Sequence, residues 1–205
     1  MTLTVGFDLD LTLIDARPGF IKTMAALSAE MGVELDGETA AGMMGPPLPD
    51  VLRAIGVAVD DVDQVVARFR QLYKDIAIEF SSPMPGAVEA LAAVRAMGGH
   101  TMIVTAKYQP NAERHITALG WDVDHLIGDL WATGKADALR THGAGVYVGD
   151  HIGDINGALA ADAVAVGVAT GPCTSAELVA AGAHIVLPSL EQFPAWLSGH
   201  VAAQR

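Results

Sequence analysis

The sequence predicts a doubly wound α/β fold, a parallel sheet with helices on both faces, carrying an inserted helical bundle as a cap. Three observations lead there. Short apolar runs alternate with amphipathic stretches from residue 86 onward, the pattern of a parallel sheet with crossover helices. An apolar run, "LTVGF", opens the chain and supplies a first strand. About 95 positions separate Asp10 from Thr105, where a strand–helix–strand unit needs only about 30.

The strands are predicted at "HTMIVT" (100–105), "DHLIG" (124–128), "AGVYVGD" (144–150), "AVAVGV" (163–168) and "AHIVL" (183–187). Helices are expected over 87–97, 110–119, 135–141, 154–161, 174–181 and 189–198. The surplus before residue 84 also reads as helical. Phe20, Met24, Leu27 and Met31 keep a 3.6-residue stripe, as do Val62, Val65, Phe69, Leu72, Ile76 and Phe80. Turn-rich segments, "DARPG" (15–19) and "SSPMPG" (81–86), flank it and suit hinges. The expected organisation is therefore a core of residues 1–15 and 84–205 with a cap of residues 16–83, standing over the carboxyl end of the first strand.

Composition narrows the function. Of the 205 residues, 51% are hydrophobic and 18% charged, which suits a packed core and not a disordered chain. A net charge of −12 argues against a sequence-independent grip on nucleic acid, which needs clustered Lys and Arg. The single cysteine, Cys173, excludes an intrachain disulfide. The start, "MTLTVGF", lacks the features of a signal peptide, and no apolar run approaches a membrane span. A cytoplasmic protein without membrane partners is expected, as a monomer or a homodimer.

Chemistry-bearing residues gather at the predicted strand ends, where open α/β sheets bind ligands. Asp8, Asp10 and Thr12 follow the first strand, Thr105 the second, and Asp150 and Asp154 the fourth, while Lys135 opens a helix. Residues two apart in an extended chain share a face, so Asp8 and Asp10 are expected to crowd one spot and to require a cation. A carboxylate cluster of this kind suits Mg²⁺ sharing phosphate oxygens, with Lys135 as a point charge for a phosphoryl group. "GDLWATGKA" (128–136) is no P-loop: five residues separate its glycines where four are needed, and Ala follows the lysine.

These motifs, "DLDLT" (8–12), Thr105, Lys135 and "GDHIGD" (149–154), stand in the order of the haloacid dehalogenase (HAD) superfamily. The chain resembles that superfamily over nearly its whole length, and within it the phosphoglycolate-phosphatase-like branch with a helical cap. The resemblance implies a Mg²⁺-dependent phosphatase acting on a small phosphorylated metabolite, such as phosphoglycolate or a sugar or polyol phosphate. It makes Asp8 the nucleophile that becomes an aspartyl-phosphate, and Asp10 the acid and base whose backbone carbonyl also helps hold the metal. Thr105 and the N–H of Ala106 would bind phosphoryl oxygens, Lys135 would bridge phosphate and nucleophile, and Asp150 with Asp154 would complete the metal site. Thr12, Arg17 and Leu48 of the cap loop "MMGPPL" are further substrate-side candidates.

Three positions depart from the family pattern: Leu11 replaces Gly, Ala106 replaces Asn or Ser, and Ala-Asp follows Lys135 instead of Pro-x-Pro. A sugar phosphomutase stays open, as does a phosphonatase, for which only Lys22 and Lys74 could supply a cap lysine. A receiver-type signalling module fits less well, because its phosphorylated Asp follows the third strand.

Overall fold

The structure, a computed structural model, describes residues 3–203. In chain order its elements begin with β1 (Thr4–Phe7) and a two-residue strand β2 (Ile14–Asp15). Then come α1 (Arg17–Met31), α2 (Gly37–Gly42), α3 (Leu48–Ala54), α4 (Val62–Ile76) and a second short strand β3 (Ser82–Pro83). The remainder alternates: α5 (Ala87–Ala96), β4 (His100–Val104), α6 (Gln109–Leu119), β5 (His125–Ile127), α7 (Ala136–Thr141), β6 (Val146–Gly149), α8 (Ile152–Ala160), β7 (Val164–Val168), α9 (Ser175–Ala180), β8 (Ile185–Leu187) and α10 (Phe193–Ala203).

Six strands form one parallel sheet in the order β5-β4-β1-β6-β7-β8. β1 lies at the centre, and the winding reverses beside it. Connections from β1 to β4 and β5 run one way and those to β6, β7 and β8 the other, which opens a crevice at the carboxyl ends of β1 and β6. Side chains alternate across the sheet as strand geometry requires. Val146 and Val148 enter one apolar cluster with residues of α5, α6 and α10, while Tyr147 enters the other with residues of α7, α8 and α9. Among the described residues no helix is long and apolar enough to cross a membrane.

The segment between β2 and β3 is helical. The α1 stripe buries Phe20, Met24 and Leu27, and α4 meets it with Val62, Val65, Phe69 and Tyr73. The Phe20 and Phe69 rings lie 5.2 Å apart. The flanking segments differ from free hinges. Ile14–Asp15 pairs antiparallel with Ser82–Pro83, so the chain leaves and returns through a two-stranded ribbon.

One packing detail in β1 prepares the site. Gly6 faces Tyr147, and a Cβ there would stand 2.8 Å from the Tyr147 ring and 3.0 Å from Leu139. The missing side chain gives the fully buried tyrosine its place between β1 and β6. Gly6→Ala is therefore expected to overpack this face at a cost of about 1–3 kcal/mol. Thermal unfolding should fall by roughly 3–10 °C for a chain of this size. An unchanged melting temperature would show that Tyr147 does not depend on this space.

Candidate active site

Lys135 is the centre of the site. It closes the single turn Ala132–Lys135 ahead of α7 and is fully buried. Its ammonium donates to Asp8 Oδ1 at 2.8 Å, to Asp154 Oδ1 at 2.6 Å and to the Tyr147 hydroxyl at 2.8 Å. Three protons meet three acceptors. The Tyr147 hydroxyl in turn donates to the Val104 carbonyl. Asp8 is set by β1, because its N–H still pairs with the Val148 carbonyl one residue past the strand. Asp154 lies in the first turn of α8, where its Oδ2 accepts the His151 N–H and closes the helix cap.

Asp150 follows β6, and its Oδ1 accepts the Thr12 hydroxyl at 2.8 Å. The turn that brings Thr12 there passes through Leu11 at φ 62°, a left-handed conformation. For a leucine this costs roughly 1–2 kcal/mol. Leu11 is buried, and burying its side chain contributes about 1.5–3 kcal/mol, enough to offset the strain. The turn therefore survives the replacement of glycine noted in the sequence. Its carbonyl accepts the Thr170 hydroxyl at 2.6 Å.

Ligand atoms of Asp8, Asp150 and Asp154 lie within 4.8 Å of one another, all buried. Burial raises the Asp8 pKa to about 7, against the pull of Lys135 and with the help of Asp154. Asp150 is driven well above its ordinary value, again first by burial and then by Asp154 and Asp8. Three carboxylates against one ammonium are under-neutralised, which is the condition a divalent cation relieves. Gly171 packs closely on Asp150, where a Cβ would collide with Oδ2, so only a glycine fits beside that carboxylate. The residues present fit a hard, oxygen-seeking cation such as Mg²⁺.

Asp10 does not join this cluster. β1 ends at Phe7, so Asp10 lies in the following turn, and both its oxygens accept from Lys107 Nζ at 2.8 and 3.0 Å. Asp8 and Asp10 each have an ammonium of their own, and the Asp10 charge still adds to the upward push on Asp8. Burial works against the Lys107 charge, but Asp10 outweighs it and holds the ammonium above its ordinary value. Lys107 Nζ also stands 4.7 Å from the centre of the Tyr73 ring on α4, and the Tyr73 hydroxyl meets His115 Nε2 at 3.0 Å.

A cleft of about 190 Å³ opens between α1–α4 and the strand ends, with Asp8, Asp10, Thr105 and Ala106 on its floor. Thr105 accepts the Lys107 N–H through Oγ1, leaving its hydroxyl proton uncommitted. Leu48 lines the opposite wall. Thr12 lies beneath the floor and does not line the cleft, and neither does Arg17. The Arg17 guanidinium is held by Asp15 through two bonds of 2.8 Å. Lys22 sits over the Phe80 ring and Lys74 beside Asp75, both outside the cleft. His151 packs instead under Gly45 of the cap loop, where a Cβ would approach its ring to 2.8 Å. Sequence reasoning missed Lys107, Tyr147, Tyr73 and Arg70. Only Lys107 carried a signal, standing two residues past Thr105 at a strand end.

Comparison with known proteins agrees with this geometry. The family model described as haloacid dehalogenase-like hydrolase matches residues 5–130. A phosphoglycolate phosphatase of Cupriavidus necator is 30% identical over 93% of this chain and 91% of its own length. The tyrosine-protein kinase PtkA of Mycobacterium tuberculosis is 28% identical over 78% of this chain, which spans 60% of that protein. A haloacid dehalogenase-like family hydrolase from Streptococcus pneumoniae shares the fold at a TM-score of 0.82, with 23% identity and 98% of each chain covered.

The buried carboxylates generate a stability prediction. A carboxyl whose folded pKa is raised binds protons better when folded, so its contribution is lost as pH rises from the unfolded value toward the folded one. Without metal, Asp8 should therefore destabilise the fold progressively between the ordinary aspartate range and about pH 7. Mg²⁺ should raise the melting temperature, and more at about pH 8 than at about pH 5, where protons compete for its ligands. Asp150→Asn in EDTA should melt at or above the wild type, and the rise with Mg²⁺ should shrink. Equal melting with and without Mg²⁺ at the higher pH would refute the cation site.

Proposed function

This chain belongs to the haloacid dehalogenase-like hydrolase family, and from that membership we propose that it is a Mg²⁺-dependent phosphatase of small phosphate monoesters. The observation that carries the reading is the Asp8 carboxylate, oriented by Lys135 inside a buried cluster of three carboxylates at the floor of a cleft. Asp8 would attack phosphorus in line, forming an O–P bond as the ester O–P bond breaks. Asp10, taking up a proton from solvent as the anionic ester binds beside it, would give that proton to the departing alkoxide. Asp10 would then take a proton from water as that water attacks the aspartyl-phosphate, releasing phosphate and restoring Asp8. Among the described residues the Thr105 hydroxyl and the Ala106 N–H donate to no protein group, and they would serve phosphoryl oxygens. An alanine at position 106 therefore removes no main-chain contact. Asp8 and Asp150 would hold the metal, with the Asp10 carbonyl beside them and Asp154 in support. Bound there, Mg²⁺ would neutralise charge on the transferring phosphoryl group.

The cleft walls set the substrate scale. The cleft is bounded by cap residues such as Phe20, Leu48 and Phe69 over Asp8 and Asp10, which suits a small ester enclosed between cap and floor. A phosphonatase would need a lysine in the cleft from the cap, and neither Lys22 nor Lys74 is there.

Asp8→Asn is expected to abolish turnover with the fold intact, and acid-quenched wild type should carry label from a ³²P-ester on Asp8. Label on another residue would sink the assignment. Asp10→Asn should lower kcat about 10²–10⁴-fold on alkyl phosphates. The loss should be much smaller on p-nitrophenyl phosphate, whose leaving group needs little protonation. A uniform loss would instead give Asp10 a purely electrostatic task.

A further inference from the structure

A lysine ammonium rides on a flexible four-carbon stem, so a carboxylate that depends on one inherits its freedom unless another group restrains it. Both oxygens of Asp10 accept from Lys107 Nζ, and the Lys107 side chain is only 8% exposed. The group that closes over the ammonium is Tyr73 of α4, with its ring centre 4.7 Å away. Cation and ring come from different parts of the chain. Lys107 follows β4 of the sheet, and Tyr73 belongs to the inserted helices.

Tyr73 is itself held from the sheet side. Its hydroxyl meets Nε2 of His115, on α6, at 3.0 Å, and the two rings meet edge to face at 5.8 Å. Apart from the Arg17–Asp15 pair at the start of α1, this is the one side-chain hydrogen bond among the described residues between residues 16–83 and the rest of the chain. Both partners are buried. Burial, with help from the Lys107 charge, pushes the His115 pKa down to about 3, so the imidazole is neutral and can accept a proton from a hydroxyl. Burial also raises the Tyr73 pKa, so the hydroxyl keeps its proton to donate. A hydroxyl that donates to His115 retains its lone pairs, and Tyr73 joins Asp10 in supporting the Lys107 charge.

We propose that Tyr73 and His115 are positioning residues: they clasp α4 to α6 and, through Lys107, fix the Asp10 carboxyl where it can protonate the leaving oxygen. A protonated Asp10 keeps one oxygen on Lys107 and presents the other to the cleft. Its proton passes to the ester oxygen as the O–P bond breaks. Loosening the clasp lets Lys107 swing and spoils that orientation without touching Asp8 or its lysine. The kinetic consequence rests on the phosphatase reading, whereas the clasp itself is read without turnover.

Tyr73→Phe removes the hydroxyl and keeps the ring. Its kcat on an alkyl phosphate should fall roughly 3- to 10-fold, the worth of one hydrogen bond, and on p-nitrophenyl phosphate no more than about 2-fold. In the Asp10→Asn background the same substitution should cost nothing further on the alkyl ester, because the group it positions is gone. His115→Leu should reproduce the loss, and His115→Gln, which can still accept from the hydroxyl, should recover most of it. Competitive acylation of the lysines, read by mass spectrometry, reports on the clasp with no substrate present. Lys107 should label several-fold faster in Tyr73→Phe and in His115→Leu, with Lys22 and Lys74 as unchanged references. Equal losses on both esters, a full loss in the Asp10→Asn background, or unaltered Lys107 labelling would overturn the proposal and leave Tyr73 as a packing contact between α4 and α6. Faster Lys107 labelling in the variants, with no ester hydrolysed by the wild type, would support the clasp and overturn the phosphatase reading alone.

Discussion

A single buried ammonium holds the site together. Lys135 has no solvent contact, and an unpaired charge in its place would be strongly destabilising. Its three acceptors come from the end of β1, the middle of β6 and the first turn of α8, so those elements must arrive together for the charge to be tolerated. Much local sequence serves that convergence. Gly6 leaves room for Tyr147, the left-handed Leu11 turns Thr12 toward Asp150, and Gly171 stays clear of the Asp150 carboxylate. The reversal of winding beside β1 explains why two strands distant in sequence can bring their ends to one crevice.

The helices α1 to α4 face this centre through a second set of contacts. Tyr73 of α4 covers Lys107, Arg70 of the same helix lies on Tyr108, and Gly45 rests on His151, next in sequence to Asp150 of the carboxylate cluster. One helix thus delivers an aromatic ring to the Asp10 partner and a cation to the far end of the cleft. Phe69, on the next position, buries itself against Phe20 and fixes the rotation of α4 that makes both contacts. Any movement of this bundle away from the sheet would uncover Lys107 and separate Arg70 from its platform.

The sequence revealed strand ends better than side-chain partners. The six strands of the sheet were legible because buried parallel strands are apolar runs bounded by turns, and Asp8, Thr105 and Asp150 were legible because each follows such a run. β2 and β3 were not, since two-residue strands carry no periodicity. α2 and α3, of six and seven residues, are too short for a stripe to repeat. For Arg17 the sequence showed its nearness to the site but not its partner, Asp15, which holds the guanidinium. Arg70 was hidden by its neighbour: next to Phe69 it read as the polar side of an amphipathic helix. Tyr147 was hidden inside an apolar strand, where its hydroxyl gained meaning only from the lysine across from it.

Charge arithmetic links the two halves of the site. Asp8, Asp10, Asp150 and Asp154 are opposed by Lys107 and Lys135, a formal excess of two negative charges. One divalent cation cancels that excess. A phosphate ester would then meet a locally neutral floor on a chain whose net charge is −12 and whose wider field repels anions. Lys107 is what makes the sum close. Without it Asp10 would add an unpaired charge at the place where the phosphoryl group must enter, and one cation would no longer suffice. Asp8 and Asp10 thus both line the cleft, each paired with its own lysine, the arrangement that the proposed nucleophile and acid would need.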